Sequence, residues 1–183
     1  MWRNMNLPNK LTLIRMALVP VFLLLFYAPF GAAKILALIV FIAASLTDMA
    51  DGYIARRDNL ITDFGKFMDP LADKLLVSSA LIALASVGRI SGWIVCILIG
   101  REFVISGFRL VAADKGIVIA AGWWGKIKTV VQMVMIIVLL LGIPSWGKFE
   151  TILILASVIL TIISLVDYIW KNKAVLEEPE ITE

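Results

Sequence analysis

Apolar residues gather along this chain into six long runs, separated by short polar or glycine- and proline-bearing stretches. The runs cover residues 11–30, 33–56, 63–87, 92–111, 125–141 and 149–170. Several approach the roughly 20 apolar residues that carry a helix across a bilayer. A segment in lipid must satisfy its own backbone groups, and no run shows the alternating sidedness of a barrel strand, so each predicts a helix. The pattern predicts an all-α integral membrane protein with six transmembrane helices. Residues 1–10 read as a short interfacial segment, with Trp2 and Arg3 suited to the headgroup region. The first run is too long for a signal-peptide core and lacks a small-residue cleavage site, so it is expected to be retained.

Composition agrees. Of 183 residues 61% are hydrophobic, and the mean hydropathy is +0.97, whereas soluble domains use only about 45–50% apolar residues. Cys96 is the one cysteine, which leaves no intrachain disulfide, and histidine is absent. Without histidine the commonest general base, the usual zinc ligands and every Ser-His-Asp arrangement are excluded. Any chemistry must run on carboxylates, lysine, arginine and hydroxyls.

The distribution of charge matters more than the net +3. With six spans, both termini share one side. That side holds Arg3, Lys10, Arg15, Arg56, Arg57, Lys66, Lys74, Arg101, Arg109, Lys115, Lys126, Lys128, Lys171 and Lys173. The other side holds only Lys34, Arg89 and Lys148. This asymmetry predicts that both termini are cytoplasmic. A single membrane domain is expected over residues 1–173, followed by an acidic disordered tail at 174–183 with Pro179. No internal repeat is evident.

Four carboxylates stand where the second and third runs approach the cytoplasmic side: Asp48, Asp51, Asp69 and Asp73. Ionisable groups at such depth are costly and mark function. Asp48, Asp51, Gly52 and Ala55 recur at i, i+3, i+4 and i+7, one helical face, and Gly65, Asp69 and Asp73 at i, i+4 and i+8, another. The connection between the runs is short, which predicts antiparallel neighbours. Facing positions in such a pair have a constant sum, which sets Asp48 against Asp73, Asp51 against Asp69 and Ala55 against Gly65. Two rungs of acids lie beside a rung of tiny residues: a cage below a ligand-sized gap.

Four such carboxylates resist ionising together unless cations join them. An all-oxygen set favours hard ions, Mg²⁺ or Mn²⁺, over zinc. The small residues let a ligand approach the backbone, and Arg56 can set a fixed charge on its phosphates. The plain alternative is that the acids form salt bridges with Arg56, Arg57, Lys66 and Lys74. It does not account for two registered faces beside Gly52, Ala55 and Gly65.

The stretch Asp48-Met-Ala-Asp51-Gly52-Tyr-Ile-Ala55-Arg56, followed by Gly65, Asp69 and Asp73, resembles the signature of the CDP-alcohol phosphotransferase family at every position. Members are membrane enzymes that join a CDP-linked donor to an alcohol and release CMP. The resemblance implies that Asp48, Asp51, Asp69 and Asp73 bind two metals and that Asp73 is also the general base. It implies that Asp51, Gly52, Ala55, Arg56 and Gly65 hold CDP. It further implies a homodimer in the cell membrane, multi-pass, working at the cytoplasmic face on CDP-diacylglycerol. Nucleic acid is not expected as a partner.

The remaining cations suggest the acceptor. Arg101 lies with Glu102 inside an apolar run, Arg109 follows on the same run, and Lys126 and Lys128 open the next. A structural Arg101–Glu102 ion pair and ordinary interfacial anchoring are the plain readings. Together the four suggest a pocket for an acceptor that carries phosphate. The segments 7–15 and 100–109 resemble those family members that act on glycerol 3-phosphate. Inositol phosphate and serine remain alternative acceptors. Asn9, Thr12 and Arg15 share a face and are candidates to line the same cavity, against a role in capping and anchoring. A cation-coupled transporter would scatter charge across the midplane, often in repeated halves. An intramembrane prenyltransferase would not explain Gly52, Ala55, Arg56 and Gly65. A non-catalytic membrane scaffold would not need registered acids.

Overall fold

The computed structural model describes residues 6–57, 63–117, 119–120 and 122–176. Side chains at 7–8, 48–57, 63–67, 69–70, 73, 174 and 176 lie outside the described residues. Among these described residues six α-helices follow one another: α1 (Leu7–Tyr27), α2 (Ala33–Arg57), α3 (Asp63–Ser86), α4 (Gly92–Asp114), α5 (Trp123–Leu141) and α6 (Gly147–Lys171). Short 3-10 turns stand at Pro144–Trp146 and Lys173–Leu176, and no strand occurs among the described residues. By length and composition, α1 from Asn9, α5, and Pro144–Lys171 are apolar enough to cross a membrane. Among the described residues, Ala33–Thr47 and Lys74–Ser86 are shorter apolar stretches.

Helix ends differ from the expected run boundaries for local reasons. α1 starts at Leu7, so the helix takes in four residues expected in the interfacial segment. Asn6 is extended, and Pro8 sits in the first turn, where its missing N–H is no loss and its fixed φ suits the helix. α1 then stops at Tyr27 rather than 30, because Ala28 precedes Pro29 and is forced to an extended φ of −69° and ψ of 138°. α4 runs on to Asp114, past the expected 111. It closes on Gly116 at φ +71°, with Gly116 N–H bonded to Ala113 O and Ile117 N–H to Ala112 O, a Schellman end that needs a left-handed residue. Gly88 ends α3 in the same way, at φ +73°.

The chain forms two compact units: residues 1–89 with 136–143, and residues 90–135 with 144–183. In the first, α1 packs along both α2 and α3, which also meet each other. The contact stripe on α2 is Ala33, Ala37, Phe41 and Ala44; on α3 it is Ala72, Leu76, Ala80 and Ala83. Spacings of three and four place each set on one face, and the small side chains let backbones approach as membrane helices require. Phe22 fills the α1–α2 seam against Phe41. In the second unit α6 packs on α4. Unusually, the buried face of α6 is polar: Ser157, Thr161, Ser164 and Tyr168.

Candidate active site

Asp48 and Asp51 fall in the second half of α2, and Asp69 and Asp73 in the first half of α3. Their side chains, with those of Gly52, Ala55, Arg56 and Gly65, lie outside the described residues. The backbone still constrains them. Continued at the same spacing, the α2 stripe runs from Ala44 through positions 48 and 51. On α3, positions 69 and 73 stand three residues before Ala72 and Leu76 of the buried stripe.

Two contacts set the relative heights of the helices in this unit. The Phe22 and Phe41 rings stand 5.9 Å apart across the antiparallel α1–α2 pair. The Tyr27 hydroxyl meets Ser86 Oγ at 2.7 Å across the parallel α1–α3 pair. Counting equal rises per residue from these anchors, Arg15 stands about level with position 48 of α2 and position 74 of α3. Thr12 stands about level with positions 51 and 71. Thr12 and Arg15 are 0% and 1% exposed, and Asn9 is buried beside them. Thus α1 carries a buried hydroxyl, amide and guanidinium at the height of the four acidic positions.

The cations expected around an acceptor lie in the second unit, where Glu102 organises two of them. Its Oε1 accepts from Arg101 Nη1 at 3.0 Å and from Lys128 Nζ. Lys128 is 2% exposed and Arg101 9%. Gly125 brings the start of α5 past Arg101, since a Cβ there would stand 3.5 Å from Nη2. One carboxylate oxygen thus receives two buried cations. Arg101 Nε and Gln132 Oε1, one turn beyond Lys128, are buried without a hydrogen-bond partner among the described residues. Buried polar groups in that state call for a ligand or water.

The other two expected cations do not join this cluster. Arg109 donates from Nε to the Tyr168 hydroxyl at 3.1 Å and lies 5.7 Å from the centre of that ring. Lys126 is exposed. Sequence reasoning treated Glu102 only as half of an ion pair, and it missed Gln132 and Tyr168. The signal for Gln132 was its spacing of four from Lys128; Tyr168 gave none that separated it from an interfacial aromatic.

Comparison with known proteins agrees with this picture. The family model described as CDP-alcohol phosphatidyltransferase matches residues 5–163. The chain is similar to a CDP-diacylglycerol–glycerol-3-phosphate 3-phosphatidyltransferase of Bacillus subtilis, 49% identical over 148 residues, covering 74% of this chain and 77% of that one. It is similar also to a probable phosphatidylglycerophosphate synthase of Mycobacterium tuberculosis, 41% identical over 171 residues, covering 91% and 81%. A Rickettsia bellii protein with the same name as the Bacillus relative is 42% identical over 137 residues, covering 75% and 76%. A match over this much of the chain, through all the acidic positions, means that the chain belongs to the CDP-alcohol phosphatidyltransferase family.

Proposed function

We propose that this enzyme transfers a phosphatidyl group from CDP-diacylglycerol to sn-glycerol 3-phosphate, giving phosphatidylglycerophosphate and CMP. The observation that carries the reading is the spacing by which the stripes of α2 and α3, continued along each helix, reach the four aspartate positions, at the height of buried Thr12 and Arg15. The names of the Bacillus and Rickettsia relatives supply the donor and acceptor.

An all-carboxylate donor set suits Mg²⁺ or Mn²⁺, and Asp48, Asp51, Asp69 and Asp73 would hold two such ions. When bound, paired ions stabilise negative charge on entering and departing oxygens. The protein's own groups do the rest. Asp51, Gly52, Ala55, Arg56 and Gly65 hold the CDP moiety. Asp73 takes the proton from the acceptor hydroxyl as that oxygen attacks the phosphorus bearing the diacylglycerol. The bond from that phosphorus to the CMP oxygen breaks, and CMP leaves. Arg101 and Lys128, held by Glu102, bind the acceptor's phosphate through charge-assisted hydrogen bonds. Arg109 and Lys126 add positive potential on the acceptor's approach.

The reading includes six spans, both termini in the cytoplasm, and an active site at the cytoplasmic edge of the cell membrane. There the donor's acyl chains stay in lipid while the acceptor arrives from water. It includes a homodimer, which light scattering in detergent tests.

The deciding experiment supplies CDP-diacylglycerol and Mg²⁺ or Mn²⁺ with glycerol 3-phosphate, inositol phosphate or serine in turn, and follows CMP. Release with glycerol 3-phosphate alone is expected. Release with another acceptor in its place would replace the acceptor assignment, and none with any would reject the chemistry.

A further inference from the structure

Four polar atoms of the second unit are buried with no hydrogen-bond partner among the described residues: Arg101 Nε on α4, Gln132 Oε1 on α5, and Ser157 Oγ and Thr161 Oγ1 on α6. Ser157 is 0% exposed, Thr161 1% and Gln132 3%. Other hydroxyls on these helices satisfy themselves. Ser106, Thr129, Thr151 and Ser164 each donate to a carbonyl one turn back on the same helix. Ser157 and Thr161 do not, so ordinary back-bonding does not account for them.

Three contacts set the heights of α4, α5 and α6, and they agree to the residue. Glu102 of α4 accepts from Lys128 of α5. Arg109 of α4 meets Tyr168 of α6, and Lys115 meets Val175 at nearly the same offset, so α4 and α6 run parallel. Asp167 Oδ2 of α6 stands 3.7 Å from where a Cβ of Gly122 would be, at the entry to α5. Equal rises counted from these contacts set Thr161 level with Glu102 and Lys128, and Ser157 level with Gln132. The two levels lie roughly 6 Å apart at 1.5 Å per residue. Gln132 shares the inward face of Lys128, and Ser157 and Thr161 share that of Tyr168. The four atoms therefore line one polar space.

Their needs differ. Arg101 Nε only donates and Gln132 Oε1 only accepts, whereas each hydroxyl does both. A phosphate oxygen suits Arg101 and Thr161 at the first level, but Gln132 needs a donor. A ligand hydroxyl between Gln132 and Ser157 donates to one and accepts from the other. One small molecule meets both levels if it carries a phosphate and a hydroxyl on the second carbon from it.

We propose that Gln132 and Ser157 bind the secondary hydroxyl of glycerol 3-phosphate, while Thr161 joins Arg101 on its phosphate. This rests on the transfer reading above and leaves the primary hydroxyl as the attacking group.

The test uses the full chain in detergent. Calorimetry without CDP-diacylglycerol compares glycerol 3-phosphate with 3-hydroxypropyl phosphate, which lacks only the secondary hydroxyl. Wild type should bind glycerol 3-phosphate about tenfold more tightly, the worth of one hydroxyl whose buried partners otherwise stay unpaired. Gln132→Leu should lose that advantage and bind the deoxy compound as wild type does, and Ser157→Ala should lose a smaller part. Without ligand, Gln132→Leu should unfold at or above the wild-type temperature, because it removes a buried unpaired amide; this also shows that the variant folds. Equal binding of the two compounds by wild type would overturn the proposal in favour of ordered water. A Gln132→Leu variant that weakens both alike, or keeps the preference, would overturn it as well, as would binding of neither compound. Failure of CMP release with glycerol 3-phosphate would instead reject the transfer reading, since the binding comparison involves no turnover.

Discussion

Lys128 and Arg101 donate to a single atom, Oε1 of Glu102. The two cations come from different helices, α5 and α4, and both are at least nine-tenths buried. A lone buried cation is costly, whereas a pair bridged by one carboxylate is held at a set separation. That is a suitable grip for an acceptor whose phosphate carries negative charge.

Glu102→Gln should therefore do two things. Removing one partner from a buried ion pair costs about 3–5 kcal/mol, and the partial exposure of Glu102 places the expected loss at the low end. Thermal unfolding in detergent measures it. The KM for glycerol 3-phosphate should rise by more than kcat falls, because the cations lose their spacing while the reacting atoms keep their base. An unchanged KM would separate Glu102 from the acceptor.

Asp73→Asn should lower CMP release by about 10²–10⁴-fold, the range of a general base. The variant should still insert and unfold at a temperature near that of wild type. Full turnover would remove Asp73 from the role of base.

Chelation with EDTA should stop CMP release, and Mg²⁺ or Mn²⁺ should restore it. Metal should also raise the unfolding temperature, since ions bound only by the folded state stabilise it by mass action. Neutralising all four acids should erase that rise. Activity undiminished after exhaustive chelation would refute the metal assignment.

The packing of α1 against α2 and α3 gives a contrast between stability and chemistry. Phe22→Ala removes a fully buried ring from its contact with Phe41 and should cost about 3–5 kcal/mol. Tyr27→Phe breaks only the bond to Ser86, a loss of about 0.6 kcal/mol on the membrane-protein average. Neither residue is near the acids in height, so CMP release per folded molecule should hold in both. Chemical denaturation followed by tryptophan fluorescence gives the first quantity, and the CMP assay the second.

All six helices were legible as apolar runs, and the acidic positions as two helical faces, because both depend on spacing along one chain. The errors fell at helix ends. Pro8 admits a helix that begins before the apolar run, and Pro29 halts one before the run is over. Gly116 lets α4 outlast its apolar pattern by three residues. In each case a backbone preference overrode hydropathy.

From the sequence alone came the class of protein, the absence of histidine chemistry, and a set of four aspartates with the small residues beside them. These follow from composition and period, which are properties of single segments. Partnerships between segments were decided by packing. That Thr12 and Arg15 lie buried at the height of the acids depends on where Phe22 meets Phe41 and where Tyr27 meets Ser86. That Lys128 joins Arg101, while Arg109 goes to Tyr168, depends on which faces of α4, α5 and α6 turn inward. Periodicity names a helix's faces, but the neighbour that each face meets is set only when helices choose their rotation and height together.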